Sequence, residues 1–395
     1  MSETSLRDFV DLAGPKAWAA RIEALEATAA LRTRQGAAVS SRHAIELVIT
    51  RLLRAPERMT SPAAREIAEL AGLFVPAERS LSRAGRERLR ARLAASLVGD
   101  NALTPLFHQM RVAERHRRRG FSVAFSGFEE DTAFDLTITR GQASAELVCD
   151  VVSADGGRGV PREAWRQLAD RIDPDLQTWL AAHPGRYLLK ITLPQGLRAE
   201  LGQETATLAA LHRRIRAMLA RQIRADHDEA AMLRLDPLLL AAAQAGEQGL
   251  LAQLRREFGP EAHLSVTVAG KGVFVVAARA ACEDDVAAMV GRRMSELSHK
   301  HLSGERPGIL AMFLEDTDLA EWRALREHLH LEGATRRFLL SPEARPVVAV
   351  SCATRAELVG LAAPQAAAHG ELRYANPAHP AASTAALASA VSSMS

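Results

Sequence analysis

The order of predicted elements between residues 101 and 195 limits the fold more than any other feature of the chain. The periodic segment LTPLFHQMRVAERHRRRG predicts a helix that ends at Gly120. Three short runs with turn residues between them predict strands: FSVAFSG, FDLTITR and AELVCDVVS. The segment REAWRQLADRIDPDLQTWLAA then predicts a helix, and RYLLKITLP predicts a further strand. This order predicts an α/β fold with a mixed sheet flanked by helices.

The rest of the 395-residue chain predicts a helical beginning, an extended α/β region and an irregular end. Residues 1–100 place Leu, Ile and Ala at helical spacing and predict a helical N-terminal region. Residues 101–360 predict one α/β domain with a helical insertion near 198–258. Residues 361–395 are rich in Ala, Ser and Pro without a sustained core pattern, which predicts a disordered tail.

Composition excludes several classes of protein. A hydrophobic content of 48% and a charged content of 25% are typical of globular proteins, and an aromatic content of 4% argues against stacking platforms for single-stranded nucleic acid. Cys149, Cys282 and Cys352 are too few and too scattered for a disulfide framework or a cysteine zinc site. Without a visible signal peptide or an apolar run near the roughly 20 residues that span a bilayer, we expect a cytoplasmic protein without membrane contact.

Three acidic residues interrupt the apolar pattern of the second and third strands: Asp135, Glu146 and Asp150. Because burying an unpaired carboxylate costs on the order of several kcal/mol, such groups reach solvent, a partner or a metal ion. Asp135 could cap a turn, Glu146 could face solvent, and Asp150 could pair with Arg158 or Arg162. The alternatives to these structural roles are a metal site and recognition without hydrolysis.

This order of elements, with FD at the start of the second strand and acids on the third, resembles the core of the PD-(D/E)XK (restriction-endonuclease-like) nuclease superfamily. The resemblance covers about residues 101–195, and it implies that the chain to about residue 355 elaborates the same sheet. It implies that Asp135 and Glu146 bind Mg²⁺ or Mn²⁺ with Asp150 assisting. A lysine beside such an acidic pair helps to activate water for phosphodiester hydrolysis.

The second motif of that superfamily, acid-x-Lys, departs from the pattern in both registers. Glu146-Leu147-Val148 keeps the acid and has Val where the superfamily has Lys. Val148-Cys149-Asp150 has Val for the acid and Asp for the Lys. Gln109 stands in the preceding helix where many members carry Glu, and Lys190 in RYLLKITLP is the nearest strand lysine that could replace the missing one.

Arginines provide the candidate contacts to nucleic acid, because guanidinium groups bind phosphate bidentately. Arg158 lies in the flexible sequence GGRG, and the helix that follows the third strand carries Arg162, Arg166 and Gln167, where related nucleases often contact phosphate. A second cluster lies in the predicted helical insertion and includes Arg213, Arg214 and Arg216. The common alternatives are a flexible connection for GGRG and ordinary surface charge for the arginine cluster.

Two functional hypotheses follow. The first is a nucleic-acid-associated protein with a divergent nuclease-like core, in which Asp135, Glu146, Asp150 and Lys190 provide any catalysis. The second is a noncatalytic scaffold that retains the fold and docks a protein partner through its helical N-terminal region. Nucleic-acid association that depends on salt concentration favours the first, and its absence favours the second.

Overall fold

A computed structural model describes residues 3–31, 33–55, 61–197, 204–238, 254, 258, 262–354 and 371–393. The chain forms two compact units. The first unit comprises Met1–Leu31, Val39–Ala154 and Ala287–Ser395, and the second comprises Arg32–Ala38 and Asp155–Val286. The α/β region that the sequence predicts as one domain is therefore divided between two units, with most of the second unit inserted into the first.

Helices form the N-terminal region, as predicted. Ser61 accepts a hydrogen bond from the Ala64 N–H at 3.1 Å and Pro62 occupies the first turn, so capping and a preset φ angle start the longest of these helices. Their bounds are α1 (Glu3–Ala13), α2 (Pro15–Ala30), α3 (Arg34–Arg42), α4 (Ala44–Arg54), α5 (Pro62–Ser80), α6 (Arg83–Ser96) and α7 (Thr104–Arg118).

The first unit contains a mixed sheet with the strand order β1-β2-β3-β9-β10-β11 among the described residues. β1, β2 and β3 are antiparallel, β9 and β10 run parallel to β3, and β11 is antiparallel to β10. The strands are β1 (Ser122–Ala124), β2 (Leu136–Arg140), β3 (Ala143–Ser153), β9 (Gly308–Glu315), β10 (Val347–Thr354) and β11 (Leu372–Ala375).

Both faces of β9 are buried, as expected for a central parallel strand. Ile309, Ala311 and Phe313 belong to the core that the sheet shares with the N-terminal helices. In that core, Phe74 lies 5.0 Å from Phe9 and 5.2 Å from Phe107 between ring centroids. Among its described residues, the first unit also contains the helices α8 (Ser126–Glu129), α11 (Val286–His301), α12 (Leu319–Glu327), α13 (His330–Leu339) and α14 (Ala388–Val391).

The second unit contains a mixed sheet with the order β5-β6-β4-β8-β7, in which β4 and β8 are parallel and the other pairs antiparallel. Its strands are β4 (Arg186–Leu193), β5 (Ala225–His227), β6 (Met232–Pro237), β7 (His263–Ala269) and β8 (Gly272–Ala280). Helices α9 (Arg162–Ala182) and α10 (Glu204–Ala220) share a core with this sheet. The prediction of an α/β fold is confirmed, and the structure has two mixed sheets flanked by helices where the sequence predicts one.

Three details differ from the sequence predictions. The strand RYLLKITLP is β4 of the second sheet, and β9 is the parallel neighbour of β3. The predicted helical insertion includes the helix α10, which the strands β5 and β6 follow. Residues 371–393 of the predicted disordered tail are ordered, because Leu372 and Tyr374 are buried beside β10, whereas residues 361–370 lie outside the described residues. No described helix is both long and apolar enough to cross a membrane.

Candidate acidic site

Asp135 lies directly before β2 and is tied to β3 by two hydrogen bonds. Its backbone N–H donates to the Leu147 carbonyl at 2.9 Å, and its Oδ2 accepts the Cys149 N–H at 2.8 Å. The strand pairing Leu136↔Leu147 therefore brings Asp135 beside the segment that begins at Val148. Of the two registers read from the sequence, Val148-Cys149-Asp150 is the one that lies next to Asp135.

The Asp135 carboxyl is partly buried, and burial raises its pKa to about 6. The Cys149 N–H, Arg92 and His301 oppose this rise, and the negative charge of Asp150 adds to it. Asp135 and Asp150 are thus electrostatically coupled. Arg92 comes from α6 and His301 from the end of α11, where its Nδ1 lies 2.9 Å from the Ala133 carbonyl oxygen.

Asp150 is bound by a guanidinium rather than left open for a ligand. The Nε of Arg293 donates to Oδ2 at 2.8 Å, and its Nη2 donates to Oδ1 at 2.9 Å. This fork raises the pKa of Arg293, with the hydrogen bonds to Asp150 as the largest cause. The sequence offered Arg158 or Arg162 as partners of Asp150, but both belong to the second unit and the partner is Arg293 on α11.

Glu146 is buried, with 2% of its surface exposed, so its expected exposure to solvent is wrong. Its Oε1 accepts the Ser303 hydroxyl at 2.6 Å and its Oε2 accepts the Ser303 N–H at 2.9 Å. Its own N–H donates to the Pro307 carbonyl at 2.9 Å. Glu146 therefore fastens the turn between α11 and β9 to β3, and each carboxylate oxygen already has a protein donor.

These contacts oppose a divalent cation. Both oxygens of Asp150 accept hydrogen bonds from Arg293 and both oxygens of Glu146 accept them from Ser303, so an ion would have to compete with these donors. Within the described ranges, no three or more His, Cys, Asp or Glu side chains are grouped so that they could hold a metal ion. The metal role of Asp135 and Glu146 stays a prediction, which the hydrogen bonds of Glu146 do not favour.

Lys190 is not part of this arrangement. It lies on β4 in the second unit, where its Nζ is 3.4 Å from Asp236 Oδ2 and 5.3 Å from the ring centroid of Phe258. Its role as the replacement lysine rested on placing β4 in the same sheet as the acids, and that placement is wrong. Gln109, the other departure from the motif, is buried on α7 in the first unit.

The GGRG segment is closed rather than open to phosphate. Arg158 is 2% exposed and forms an ion pair with Asp155. The Gly159 N–H donates to Asp284 at 2.9 Å, and a Cβ on Gly157 would lie 2.4 Å from the Val286 Cα. The glycines therefore allow two backbone segments of the second unit to approach closely, and the predicted phosphate contact by Arg158 is not accessible.

The remaining predicted contacts lie on helices of the second unit. Arg162 and Arg166 are partly buried on α9, and Gln167 lines a cleft of about 350 Å³. On α10, Arg214 contacts Asp226 and Asp228 at 2.9 and 2.6 Å. Two other predicted residues of this helix, Arg213 and Arg216, are exposed.

Two arginines of α6 donate hydrogen bonds to backbone carbonyl groups at the ends of other helices. Arg86 donates to the Glu78 and Leu81 carbonyls at 3.1 and 3.0 Å, near the end of α5. Arg88 donates to the Phe128 and Glu129 carbonyls at 2.6 and 2.7 Å, at the end of α8. Arg86 and Arg88 thus satisfy backbone carbonyl groups at the ends of α5 and α8.

Sequence reasoning missed the groups that decide the chemistry of the acidic site, namely Arg293, Ser303, Arg92 and His301. Their spacing from the acids carries no periodic or motif signal, since Arg293 is 143 positions from Asp150 and Ser303 is 157 from Glu146. Only the parallel pairing of β3 with β9 brings the end of α11 and its turn to these strands.

Comparison of the chain with known protein families, with curated proteins and with solved structures gave no match. The roles of the site residues therefore depend on their contacts in this structure.

Proposed function

We propose that this chain is a nucleic-acid-binding protein, built on a nuclease-like sheet, that does not hydrolyse phosphodiester bonds. The observation that carries the proposal is the forked contact between Arg293 and Asp150. The Arg293 guanidinium binds both oxygens of the Asp150 carboxylate, which would otherwise be available to a cation. The acids of β2 and β3 then stabilise the fold instead of binding a metal ion.

The order of elements in the first unit supports the nuclease-like part of the proposal. α7 precedes the antiparallel strands β1, β2 and β3, and α11 leads into β9, which is parallel to β3. This is the helix, three strands, helix and strand order of the resemblance, with residues Asp155–Val286 inserted between β3 and α11. The restriction-endonuclease-like core is thus proposed over the first sheet, with β9 rather than β4 as its fourth strand.

Hydrolysis is disfavoured for an energetic reason. A divalent ion at Asp150 would have to displace two charge-assisted hydrogen bonds, which are roughly twice as strong as neutral ones. Val148 fills the acid position beside Asp135, and Lys190 belongs to the other sheet. The motif beside Asp135 therefore lacks both the second acid and the lysine that would help to activate water.

The exposed arginines of α10 and the turn after it support nucleic acid as the ligand. Arg213, Arg216, Arg221 and Arg224 are all exposed. Arg216 lies 3.5 Å from Asp175, and 63% of its side chain is exposed, so this ion pair contributes little and a phosphate can replace it. Phosphate contacts of this kind give binding that weakens with salt and does not depend on sequence.

The proposal is tested by titrating the purified protein against labelled single- and double-stranded DNA and RNA, with EDTA, Mg²⁺ or Mn²⁺. We expect retarded bands without cleavage. The triple variant Arg213→Gln/Arg216→Gln/Arg221→Gln should lower the slope of log affinity against log salt by about 2 to 3 for duplex DNA.

The matched control is Arg51→Gln/Arg65→Gln/Arg79→Gln, which removes the same charge from exposed arginines of the first unit. Equal losses in the two triple variants would reject α10 as the contact surface. Metal-dependent cleavage that disappears in Asp135→Ala would reject the noncatalytic assignment. Absence of any retarded band would reject nucleic acid and favour the protein-partner alternative.

A further inference from the structure

A groove in the first unit is independent of the acidic site and of the proposed nucleic-acid surface. It has a volume of about 710 Å³ and is lined by residues of α1, α5 and α7. Known small-molecule sites have volumes of roughly 300–1,000 Å³. The groove is therefore large enough for a metabolite-sized ligand, and its chemistry depends on the two walls that α5 and α7 provide.

The α7 wall carries three arginines and one carboxylate, Glu114. Arg111, Arg115 and Arg118 line the groove at i, i+4 and i+7, a spacing that places them on one face of the helix. Burial lowers the pKa of Arg111 to about 9, and the neighbouring charge of Arg115 is the second cause. Each of these arginines also has a carboxylate partner, since Arg111 contacts Glu66, Arg115 contacts Glu371 and Arg118 contacts Glu114.

The α5 wall is acidic and partly apolar. Glu66 contacts the Arg111 Nε at 3.5 Å, and burial raises the pKa of Glu66. Glu69, one turn further along α5, is exposed and forms no ion pair with a described residue. Leu70 and Leu73 line the groove beside these carboxylates. This wall would accept a cationic group and an apolar group side by side.

We propose that the groove binds a small zwitterion, a free amino acid with an apolar side chain. Its carboxylate lies at Arg118, its ammonium at Glu69 and its side chain against Leu70 and Leu73. Arg118 is held by Glu114 at 2.9 Å with 69% of its side chain exposed, so a ligand carboxylate exchanges for this partner at little cost.

The two walls select for a ligand that carries both charges. A simple anion would approach the arginines but would also face Glu66, Glu69 and Glu114. A simple amine would approach these carboxylates but would also face the arginines. A ligand with a single charge is repelled by the like charges of the groove, and this repulsion discriminates against it in favour of a zwitterion. A zwitterion satisfies both walls at once.

The test uses calorimetric titration of the full chain with the standard amino acids, followed by the single-charge analogues of any that bind. For L-leucine these analogues are 4-methylpentanoate, which lacks the ammonium, and 3-methylbutylamine, which lacks the carboxylate. We expect at least one apolar amino acid to bind and its analogues to bind at least about tenfold more weakly. No binding by any amino acid, or equal binding by the analogues, would overturn the proposal.

Glu69→Gln and Arg118→Gln should each weaken binding about tenfold, because each removes one charged contact. Arg79→Gln and Glu23→Gln are the matched controls, since both residues are exposed and neither lines the groove. Equal weakening by the controls would also overturn the proposal. Urea unfolding of every variant establishes that it is folded, and nucleic-acid binding plays no part in the readout.

Discussion

Arg293 donates hydrogen bonds to both carboxylate oxygens of Asp150, at 2.8 and 2.9 Å, and thereby joins α11 to β3 across 143 positions of sequence. The side chain of Asp150 is 16% exposed and that of Arg293 is 37% exposed. In its degree of burial the pair is intermediate between a surface ion pair, which stabilises a protein little, and a buried ion pair, whose disruption costs much more free energy.

Arg293→Met should lower the free energy of unfolding of the protein by about 1–3 kcal/mol, because it leaves the Asp150 carboxylate unpaired and only slightly exposed. Urea denaturation measures the change, with Arg306→Met at an exposed position of the first unit as the control. Adding Asp150→Asn should recover part of the loss, since the stranded charge is then removed. A loss no greater than that of the control would mean that the pair is not a stabilising contact.

Glu146→Ala should destabilise the first unit more than Ser303→Ala does. The alanine at position 146 strands two donors of Ser303 and empties a buried site, whereas Ser303→Ala removes one hydroxyl contact and keeps the N–H contact. We expect about 2–4 kcal/mol for the former and about 1 kcal/mol for the latter. Glu305→Ala, exposed in the same turn, is the control. Amide hydrogen exchange in the turn between α11 and β9 should become faster in Glu146→Ala and Ser303→Ala and should not change in Glu305→Ala.

Asp135 should make the protein less stable as the pH rises through the weakly acidic range. Its folded pKa of about 6 lies above the ordinary value of 3.8, so the folded state binds the proton more tightly. The stabilisation is complete below the unfolded pKa and is lost as the pH rises to about 6. The loss amounts to at most about 3 kcal/mol, and partial exposure reduces it.

Urea denaturation of wild type and Asp135→Asn at several pH values isolates this contribution as a difference. The comparison is needed because burial lowers the pKa of His108 to about 4, and that shift makes stability fall as the pH drops, the opposite direction. Asn retains an acceptor for the Cys149 N–H. Parallel stability curves for the two proteins would contradict the prediction.

Gly157→Ala should destabilise the second unit, whereas Gly291→Ala should not destabilise the first. A Cβ at position 157 would lie 2.4 and 2.7 Å from backbone atoms of Val286, which cannot move aside as a flexible side chain can. We expect a loss of about 1–3 kcal/mol or more. At position 291, within α11, the nearest contact is 3.8 Å, so Ala should stabilise the helix by about 0.5–1 kcal/mol. Equal thermal shifts for the two variants would reject the close approach at Gly157.

Local patterns predicted most elements of the fold. Ser61 and Pro62 mark the start of α5, and the strands around Leu136 and Leu147 follow from their apolar runs. Adjacent antiparallel strands also placed Asp135 beside β3, since a short turn leaves little choice of partner. The four-residue strand β11 escaped detection because so short a run carries almost no periodic signal.

Parallel partners were harder to predict, because any later strand of suitable pattern can pair with β3. The sequence placed β4, the next long strand along the chain, in the same sheet as β3, but β4 pairs with β6 and β8 in a second sheet. Because of that error, Lys190 was assigned to the sheet that carries the acids. It also hid the partners of Asp150 and Glu146, which arrive with α11 and the turn before β9.

The sequence by itself determined the α/β class, the helical N-terminal region and the presence of carboxylates on two neighbouring strands, because these follow from local periodicity and short connections. Only the tertiary structure decided which group each carboxylate contacts. Ion pairs and hydrogen bonds act over a few ångströms in space without regard to separation along the chain, so the roles of Asp150 and Glu146 depend on the pairing of β9 with β3.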